Sequence, residues 1–382
     1  MKAATLNIVF VLLAGIIFLA AHFMPPFIEQ NPPLQAIVPA GITLENTAKT
    51  WSLENWQDRS YQQTTESLLR DEPYMRALGV RLKNEVLYSL FDHNANPKTA
   101  VGKDGFLFDP TYINAYLGVY NQKDSVFDHR LAQLTQLRAK LEQVGTQLLI
   151  LLPPPKAYVY PAALPQSFQK LTRQESDRLK LASALQTQGI AQMDFEFYRE
   201  MTDQAPALLY PKTGLHWSHY GAFVGLDSLR GTLSRMLGKE LPKLQLDSLH
   251  FTDKPKAPDN ELAVLSNLWR DYPYDTLAYP HYKIFSDSSS YQPKVITVGD
   301  SYYHLWSEFG YLNGLWDDAS QEWFYYGRSF SRAFPKGRGL DKNNEAIQNA
   351  VAKADVLILE ASATNIHQLG FGFVEQYLII TD

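Results

Sequence analysis

Four short hydrophobic runs alternate with amphipathic segments through the larger, C-terminal part of the chain. Residues 147–152, 294–298 and 355–360 are rich in Leu, Ile and Val without polar alternation, and residues 190–194 form a shorter, mixed run. Helical periodicity accompanies them at residues 129–144, 173–187 and 343–353. Strands that are buried on both faces have such continuous runs, because helices cover both sides of a parallel sheet. The pattern predicts a three-layer α/β/α domain whose site lies beyond the carboxyl ends of the strands.

The longest apolar stretch comes first, at residues 3–24, where only Thr5, Asn7 and His22 interrupt it. A helix needs about 20 apolar residues to span a bilayer, so this segment predicts a membrane anchor. Lys2 precedes it, and the positive-inside rule then predicts that the rest of the chain is exported. A signal peptide that is later removed is the alternative for residues 1–24.

We predict that residues 25–100 form a spacer followed by a helical collar. Pro25, Pro26 and the Pro-rich segment 31–33 indicate a stiff, extended start. Helical spacing of apolar residues follows over 44–91. The main domain is predicted at 101–382, and its long insertion at 238–291 is expected to form a wall of the site.

Composition excludes several classes of function. The 382 residues carry a net charge of -5, so no basic field exists to bind a nucleic acid. The chain has no cysteine, which removes disulfides, Cys-based zinc sites and a thiol nucleophile. No nucleotide-binding or metalloprotease motif occurs, and we predict neither a cofactor nor a metal.

One candidate nucleophile follows the third hydrophobic run, in the segment Val298-Gly299-Asp300-Ser301-Tyr302. A glycine permits a tight turn at the strand end, and a serine there projects from the edge of the sheet. Its backbone N–H, at the start of a helix, can stabilise an oxyanion. The alternative is that Asp300 or Ser301 only caps that helix.

A candidate general base lies in residues 213–222, where His216 is followed by Trp217 just before a predicted helix. The aromatic neighbour can exclude water from an imidazole that moves protons. His216 is alternatively a structural histidine, or a metal ligand together with His219, although the segment offers no third ligand. With Ser301, His216 matches acyl transfer through a covalent ester.

These motifs occur in an order that resembles the alginate O-acetyltransferase family (AlgX/AlgJ-like), whose domain is similar to SGNH hydrolases. The ordered set is GKDGFLF at 102–108, LLPPPKAYVYP at 151–161, the His-Trp loop, the Gly-Asp-Ser turn and a late strand that ends in Glu360. The resemblance implies that Ser301 is acetylated and that His216 acts as base and then acid. It also implies an inner-membrane protein with its main domain in the periplasm, a polysaccharide acceptor, and a membrane-bound O-acyltransferase as acetyl donor.

One departure from the family pattern concerns the acid of the triad. The family carries Asp two residues before the motif histidine, where this chain has Gly214. Asp194, Asp300 and Glu360 are candidate substitutes, because each follows or ends a predicted strand. Two alternatives are a Ser–His dyad oriented by a backbone carbonyl and a non-catalytic scaffold that binds the polymer. A carbohydrate esterase is the rival activity.

Three further side chains are predicted to line the substrate site because they neighbour these motifs. They are Lys156, Trp217 and Tyr302.

Overall fold

The computed structural model describes residues 54, 57, 73–91, 93–119, 121–270, 272 and 274–381. The predicted anchor at 1–24 and most of the predicted spacer and collar lie outside these residues. Within the described stretches, no helix combines the length and apolar character that crossing a membrane requires. The chain divides into two compact units, one formed by 1–96 and 263–272 and the other by 97–262 and 273–382.

The first unit contains helix α1 (Pro73–Phe91), which ends the segment predicted to be a helical collar. Asn84 on this helix donates a hydrogen bond to the carbonyl of Ser266 at 2.9 Å. Glu85 forms an ion pair with Arg270 at 3.0 Å. Polar contacts therefore connect the helix to the 263–272 segment of the same unit.

The second unit alternates strands and helices. Its strands are β1 (Ala100–Val101), β2 (Leu107–Phe108), β3 (Gln147–Leu151), β4 (Gln192–Met193), β5 (Lys243–Thr252), β6 (Leu277–Phe285), β7 (Val295–Gly299), β8 (Gln321–Phe324), β9 (Arg328–Ser331), β10 (Phe334–Gly339) and β11 (Val356–Glu360). Its helices are α2 (Pro110–Leu117), α3 (Asp124–Gln143), α4 (Lys156–Val159), α5 (Gln166–Gln169), α6 (Asp177–Thr187), α7 (Phe197–Met201), α8 (His219–Leu237), α9 (Glu261–Leu265, which continues into the first unit), α10 (Ser301–Glu308), α11 (Asn344–Ala352) and α12 (Phe373–Thr381).

The central sheet has seven strands in the order β10-β9-β8-β7-β11-β3-β4. The strands from β8 to β4 are parallel to one another, and β9 and β10 extend the sheet in antiparallel fashion. All four hydrophobic runs of the sequence supply adjacent strands, and β7 and β11 are buried along their whole length. The predicted parallel α/β core is present within a mixed sheet.

Two hydrophobic cores cover the two faces of this sheet. Alternate residues of β3 and β11 point into each core: Leu149 and Ile358 into one, Ile150 and Leu357 into the other. The long helix α8 packs on the first face, while α3, α6, α11 and α12 pack on the second. The domain therefore has the three layers expected from the sequence.

Several parts of the fold were not predicted. The aromatic segment at 101–108 forms a separate two-stranded hairpin, β1–β2, outside the main sheet. Strands β8, β9 and β10 were not predicted either, because β8 and β9 have only four residues each and β10 is largely exposed without hydrophobic alternation. The insertion at 238–291 contains the antiparallel pair β5–β6 and, between these strands, helix α9.

Candidate active site

The turn after β7 presents Ser301 at the edge of the sheet. Asp300 is the N-cap of α10 and accepts a hydrogen bond from the amide of Tyr302 at 3.1 Å. Because Asp300 caps the helix, the Ser301 hydroxyl is available for another partner. A Cβ atom at Gly299 would lie 2.8 Å from a carboxylate oxygen of Glu360, so glycine is required for this close approach.

His216 reaches Ser301 from the loop that precedes α8. Its Nε2 atom lies 2.8 Å from the Ser301 hydroxyl oxygen. Ser218 caps α8 by accepting from the Gly221 amide at 2.9 Å, which anchors the end of the loop. Tyr302 packs edge-on to the imidazole, and the fully buried Trp217 packs on Tyr302 and stacks on Trp306 with ring centroids 4.7 Å apart. The imidazole is therefore held by packing as well as by polar contacts.

Glu261, the first residue of α9, contacts the other nitrogen of the same ring. Its Oε1 atom lies 2.8 Å from His216 Nδ1 and accepts hydrogen bonds from the amides of Leu215 at 2.7 Å and His216 at 3.3 Å. Burial raises the pKa of the Glu261 carboxyl, but these hydrogen bonds and the His216 charge outweigh it, so the net pKa lies below its ordinary value. An ionised Glu261 can only accept, which places the proton on Nδ1 and leaves Nε2 to accept from Ser301.

Comparisons with known proteins bear on this part of the chain. The family described as "SGNH hydrolase-like domain, acetyltransferase AlgX" matches residues 99–322, which include Ser301, His216 and Glu261. The chain belongs to this AlgX family.

Solved structures of similar fold include two proteins from Pseudomonas and one from Bacillus. The O-acetyltransferase domain of Pseudomonas putida AlgJ is 18% identical, with a TM-score of 0.48 and coverage of 74% of this chain and 99% of that one. Pseudomonas aeruginosa AlgX is 16% identical, with a TM-score of 0.45 and coverage of 73% and 67%. Bacillus cereus PatB1 is 12% identical, with a TM-score of 0.40 and coverage of 69% and 95%. A search among curated proteins found no match.

Glu261 occupies the position beside His216 Nδ1. The sequence analysis had named Asp194, Asp300, Glu360 or a backbone carbonyl for that position. Asp194 accepts from the Glu196 amide. Asp300 accepts from the backbone and hydroxyl of Ser362 at 2.9 and 2.6 Å. Glu360 accepts from the Asp300 amide at 2.7 Å. None of these three carboxylates has a described hydrogen bond to the His216 ring.

Glu360 and Asp300 instead stabilise the turn that carries Ser301. Both are fully buried. Burial raises the pKa of Glu360 well above its ordinary value, and the Asp300 charge and a hydrogen bond with its side chain raise it further. A neutral Glu360 beside Asp300 avoids two buried like charges.

Gly214, the departure from the AlgX-family pattern, is explained by the segment that carries Glu261. A Cβ atom at position 214 would lie 2.6 Å from Pro211 Cγ and 3.0 Å from the carbonyl oxygen of Asp259. The insertion therefore occupies the space that a side chain at 214 would need, and it supplies a carboxylate of its own. Sequence reasoning identified the insertion as a wall of the site, but no spacing signal pointed to Glu261.

The three predicted lining residues are buried beneath the site. Tyr302 and Trp217 are fully buried, and Lys156 is 2% exposed. Tyr302 packs edge-on to the His216 ring, with centroids 4.9 Å apart. Because all three side chains are enclosed by protein in this structure, contact with a substrate stays a prediction.

Tyr325, which the sequence did not single out, lies next to Ser301. Burial and the charge of Asp300 raise the pKa of its hydroxyl, whereas hydrogen bonds with the side chain and the amide of Ser301 lower it, and the net shift is upward. The residue is 44% exposed, and its ring meets Phe371 edge-on at 5.0 Å. Both rings line a cavity of about 350 Å³ together with His367 and Arg130.

Proposed function

We propose that this chain is an O-acetyltransferase that carries an acetyl group on Ser301 and passes it to hydroxyls of an exported polysaccharide. The observation that carries the proposal is the continuous chain of hydrogen bonds from Ser301 through His216 to Glu261. Membership of the AlgX acetyltransferase family supports acetyl as the group. AlgJ, one of the similar structures, is described as an O-acetyltransferase domain.

The geometry accounts for each proton of such a reaction. The Ser301 oxygen attacks the acetyl carbonyl of the donor while His216 Nε2 takes the hydroxyl proton. The Ser301 amide, at the N-terminus of α10, donates to the developing oxyanion once the acetyl group displaces the Tyr325 hydroxyl from it. The donor's leaving group departs with the proton from Nε2. A sugar hydroxyl then attacks the acetyl-serine, Nε2 takes its proton, and that proton returns to the Ser301 oxygen. Glu261 stabilises the imidazolium in both halves.

The proposed location rests on the apolar N-terminal stretch, and the proposed donor rests on the family resemblance. Residues 1–24 would hold the chain at the inner membrane with its main domain in the periplasm, and a membrane-bound O-acyltransferase would bring acetyl across. Protease accessibility from the periplasmic side, measured in intact spheroplasts, tests this location.

Ser301→Ala in the full-length chain tests the catalytic role. We expect loss of polymer acetylation in cells and loss of acetyl-enzyme in purified protein incubated with 4-nitrophenyl acetate. Ser183→Ala, at an exposed position on α6, is the matched control. Unchanged acetylation with Ser301→Ala would overturn the proposal.

Two rival functions give different products in the same assay. With oligosaccharides present, a transferase yields acetylated sugar by mass spectrometry, whereas an esterase yields only free acetate. A scaffold forms no acetyl-enzyme and binds the polymer equally well without Ser301. Gly214 suggested the scaffold, but Glu261 occupies the place of the missing acid and therefore favours the enzyme.

A further inference from the structure

Lys156 is a buried cation close to the site, and it takes no part in the proposed proton transfers. It begins α4, directly after strand β3 and the buried segment 153–155, which consists of three prolines. Proline fixes its φ angle, so this segment is stiff and directs Lys156 into the protein rather than into solvent. Only 2% of the residue is exposed.

The ammonium group of Lys156 uses all three of its N–H donors on the loop that carries His216. Nζ donates to the carbonyl oxygens of Pro211 at 3.0 Å, Lys212 at 3.1 Å and Gly214. A lysine ammonium has three donors, so the set is complete. The Phe108 ring, 5.1 Å from Nζ, adds a cation–π contact.

The next residues of this loop turn their amides toward the opposite charge. Leu215 and His216 donate their backbone N–H groups to Glu261, at 2.7 and 3.3 Å. A buried cation thus holds the carbonyls of Pro211, Lys212 and Gly214, and a partly buried anion holds the two amides that follow. His216 stands at the end of this doubly held segment, so the position of its ring depends on both charges.

The number of hydrogen bonds that Lys156 donates to this loop depends on its charge. Burial lowers the pKa of Lys156 to about 7, although attraction to Glu261 raises it in part. A neutral amine has only two N–H donors, so one of the three hydrogen bonds from Lys156 to this loop would be lost. The full set of three hydrogen bonds is available only to the ammonium form.

We propose that Lys156 is a positioning residue of the acyl-transfer site, whose ammonium fixes the 211–214 backbone so that His216 meets Glu261 and Ser301 together. The inference rests on the proposed function, since it assigns a role in activating Ser301. It differs from substrate contact, because nothing outside the protein reaches Lys156. Displacement of a catalytic group by about 1 Å can lower a rate about 100-fold, and we expect losses of about 10- to 100-fold.

The test exploits the absence of cysteine from the chain. Lys156→Cys carries a single thiol, which is alkylated in urea with 2-bromoethylamine or with 1-bromopropane before refolding. The two products have nearly the same length and shape and differ only in ending in an ammonium or a methyl group. Wild-type protein passed through the same unfolding and refolding is the reference. Near-ultraviolet circular dichroism and thermal unfolding select preparations that have refolded.

The measurement is the rate of Ser301 labelling by a fluorophosphonate probe, which reports activation of the nucleophile without any sugar acceptor. Turnover of 4-nitrophenyl acetate gives kcat and KM separately. We expect the ammonium form to label within about threefold of the reference and the methyl form about 10- to 100-fold more slowly, with kcat reduced and KM little changed. Lys156→Met, produced without refolding, should behave like the methyl form.

A matched control comes from Arg178, another cation that is 2% exposed but contacts Asp194 and Glu196 rather than the His216 loop. Arg178→Met should lower stability without slowing the labelling of the folded protein. Equal labelling rates for the ammonium and methyl forms would overturn the positioning role. Two further results would also overturn the positioning role, because they would show that Lys156 contributes only to stability. One is native circular dichroism for the refolded ammonium form but not for the methyl form. The other is equal slowing of Ser301 labelling by Arg178→Met. Absence of labelling in wild-type protein would instead overturn the proposed function.

Discussion

Removal of the Glu261 carboxylate should separate the two things it does for His216. All three of its hydrogen bonds, from His216 Nδ1, the Leu215 amide and the His216 amide, end on the single atom Oε1. Glutamine can place a carbonyl oxygen at that position and accept the same three donors. Glu261→Gln therefore removes the negative charge but keeps the tautomer and the loop, whereas Glu261→Ala removes both.

The expected magnitudes differ accordingly. Removal of the acid from a triad lowers kcat by about 3 × 10⁴-fold in a well-studied case, so we expect a loss of at least about 10³- to 10⁴-fold for Glu261→Ala. That range corresponds to about 4 to 5 kcal/mol of transition-state stabilisation. For Glu261→Gln, the loss of a charge-assisted hydrogen bond is worth about 1.5–3 kcal/mol, which predicts a fall in kcat of about 10- to 100-fold.

The assay is kcat for 4-nitrophenyl acetate with the full-length chain, together with the fluorophosphonate labelling rate of Ser301. Glu142→Gln, an exposed glutamate on α3, serves as the control. The Ala variant also leaves two amides without an acceptor, so thermal unfolding must confirm that the assayed protein is folded. A Glu261→Ala variant that is folded and within tenfold of wild type would refute the reasoning.

A second variant tests the explanation of Gly214. Adding Gly214→Asp to Glu261→Ala places an acid where the family has one. We expect no rescue of kcat, because the new Cβ would lie 2.6 Å from Pro211 Cγ and 3.0 Å from the Asp259 carbonyl. Restored activity would show that the insertion does not control which acid can serve.

The remaining predictions concern two buried carboxyls and are measured by chemical unfolding. Burial raises the pKa of Asp259 to about 7 and the neighbouring Glu261 adds to this effect, while Tyr279 and Lys256 oppose it. The folded state binds a proton that the unfolded state has released, so wild-type stability should fall as the pH rises from about 4 to about 7. Relative to Asp259→Asn, wild type should lose about 3 kcal/mol of unfolding free energy between pH 5 and pH 8, and a constant difference would contradict the raised pKa. Because burial raises the pKa of Glu360 and so favours its neutral form, Glu360→Gln should cost less than about 1.5 kcal/mol, as replacements that conserve volume do. Glu360→Ala, which leaves the Asp300 amide without its acceptor, should cost about 2 kcal/mol or more, and equal losses for the two variants would count against a neutral Glu360.

The sequence determined the core of this fold. The continuous apolar runs that form β3, β7 and β11 predict parallel strands buried on both faces, because only such strands need no polar side. Since parallel strands share one carboxyl edge, the sequence also predicted that Ser301 would lie at that edge. The structure adds that His216 meets it there, at 2.8 Å.

Only the tertiary structure decided the remaining members of the site. Glu261 lies 45 residues from His216 in sequence, on an insertion without a repeating pattern, and nothing local indicates where its carboxylate points. Lysine is usually exposed at the protein surface, yet the His216 loop packs over Lys156 and buries it. Hydrophobic periodicity indicates which segments of the chain are buried, and this periodicity is a local property of the sequence. The meeting of charged side chains from distant loops depends on how those loops pack, and this is settled only when the whole chain has folded.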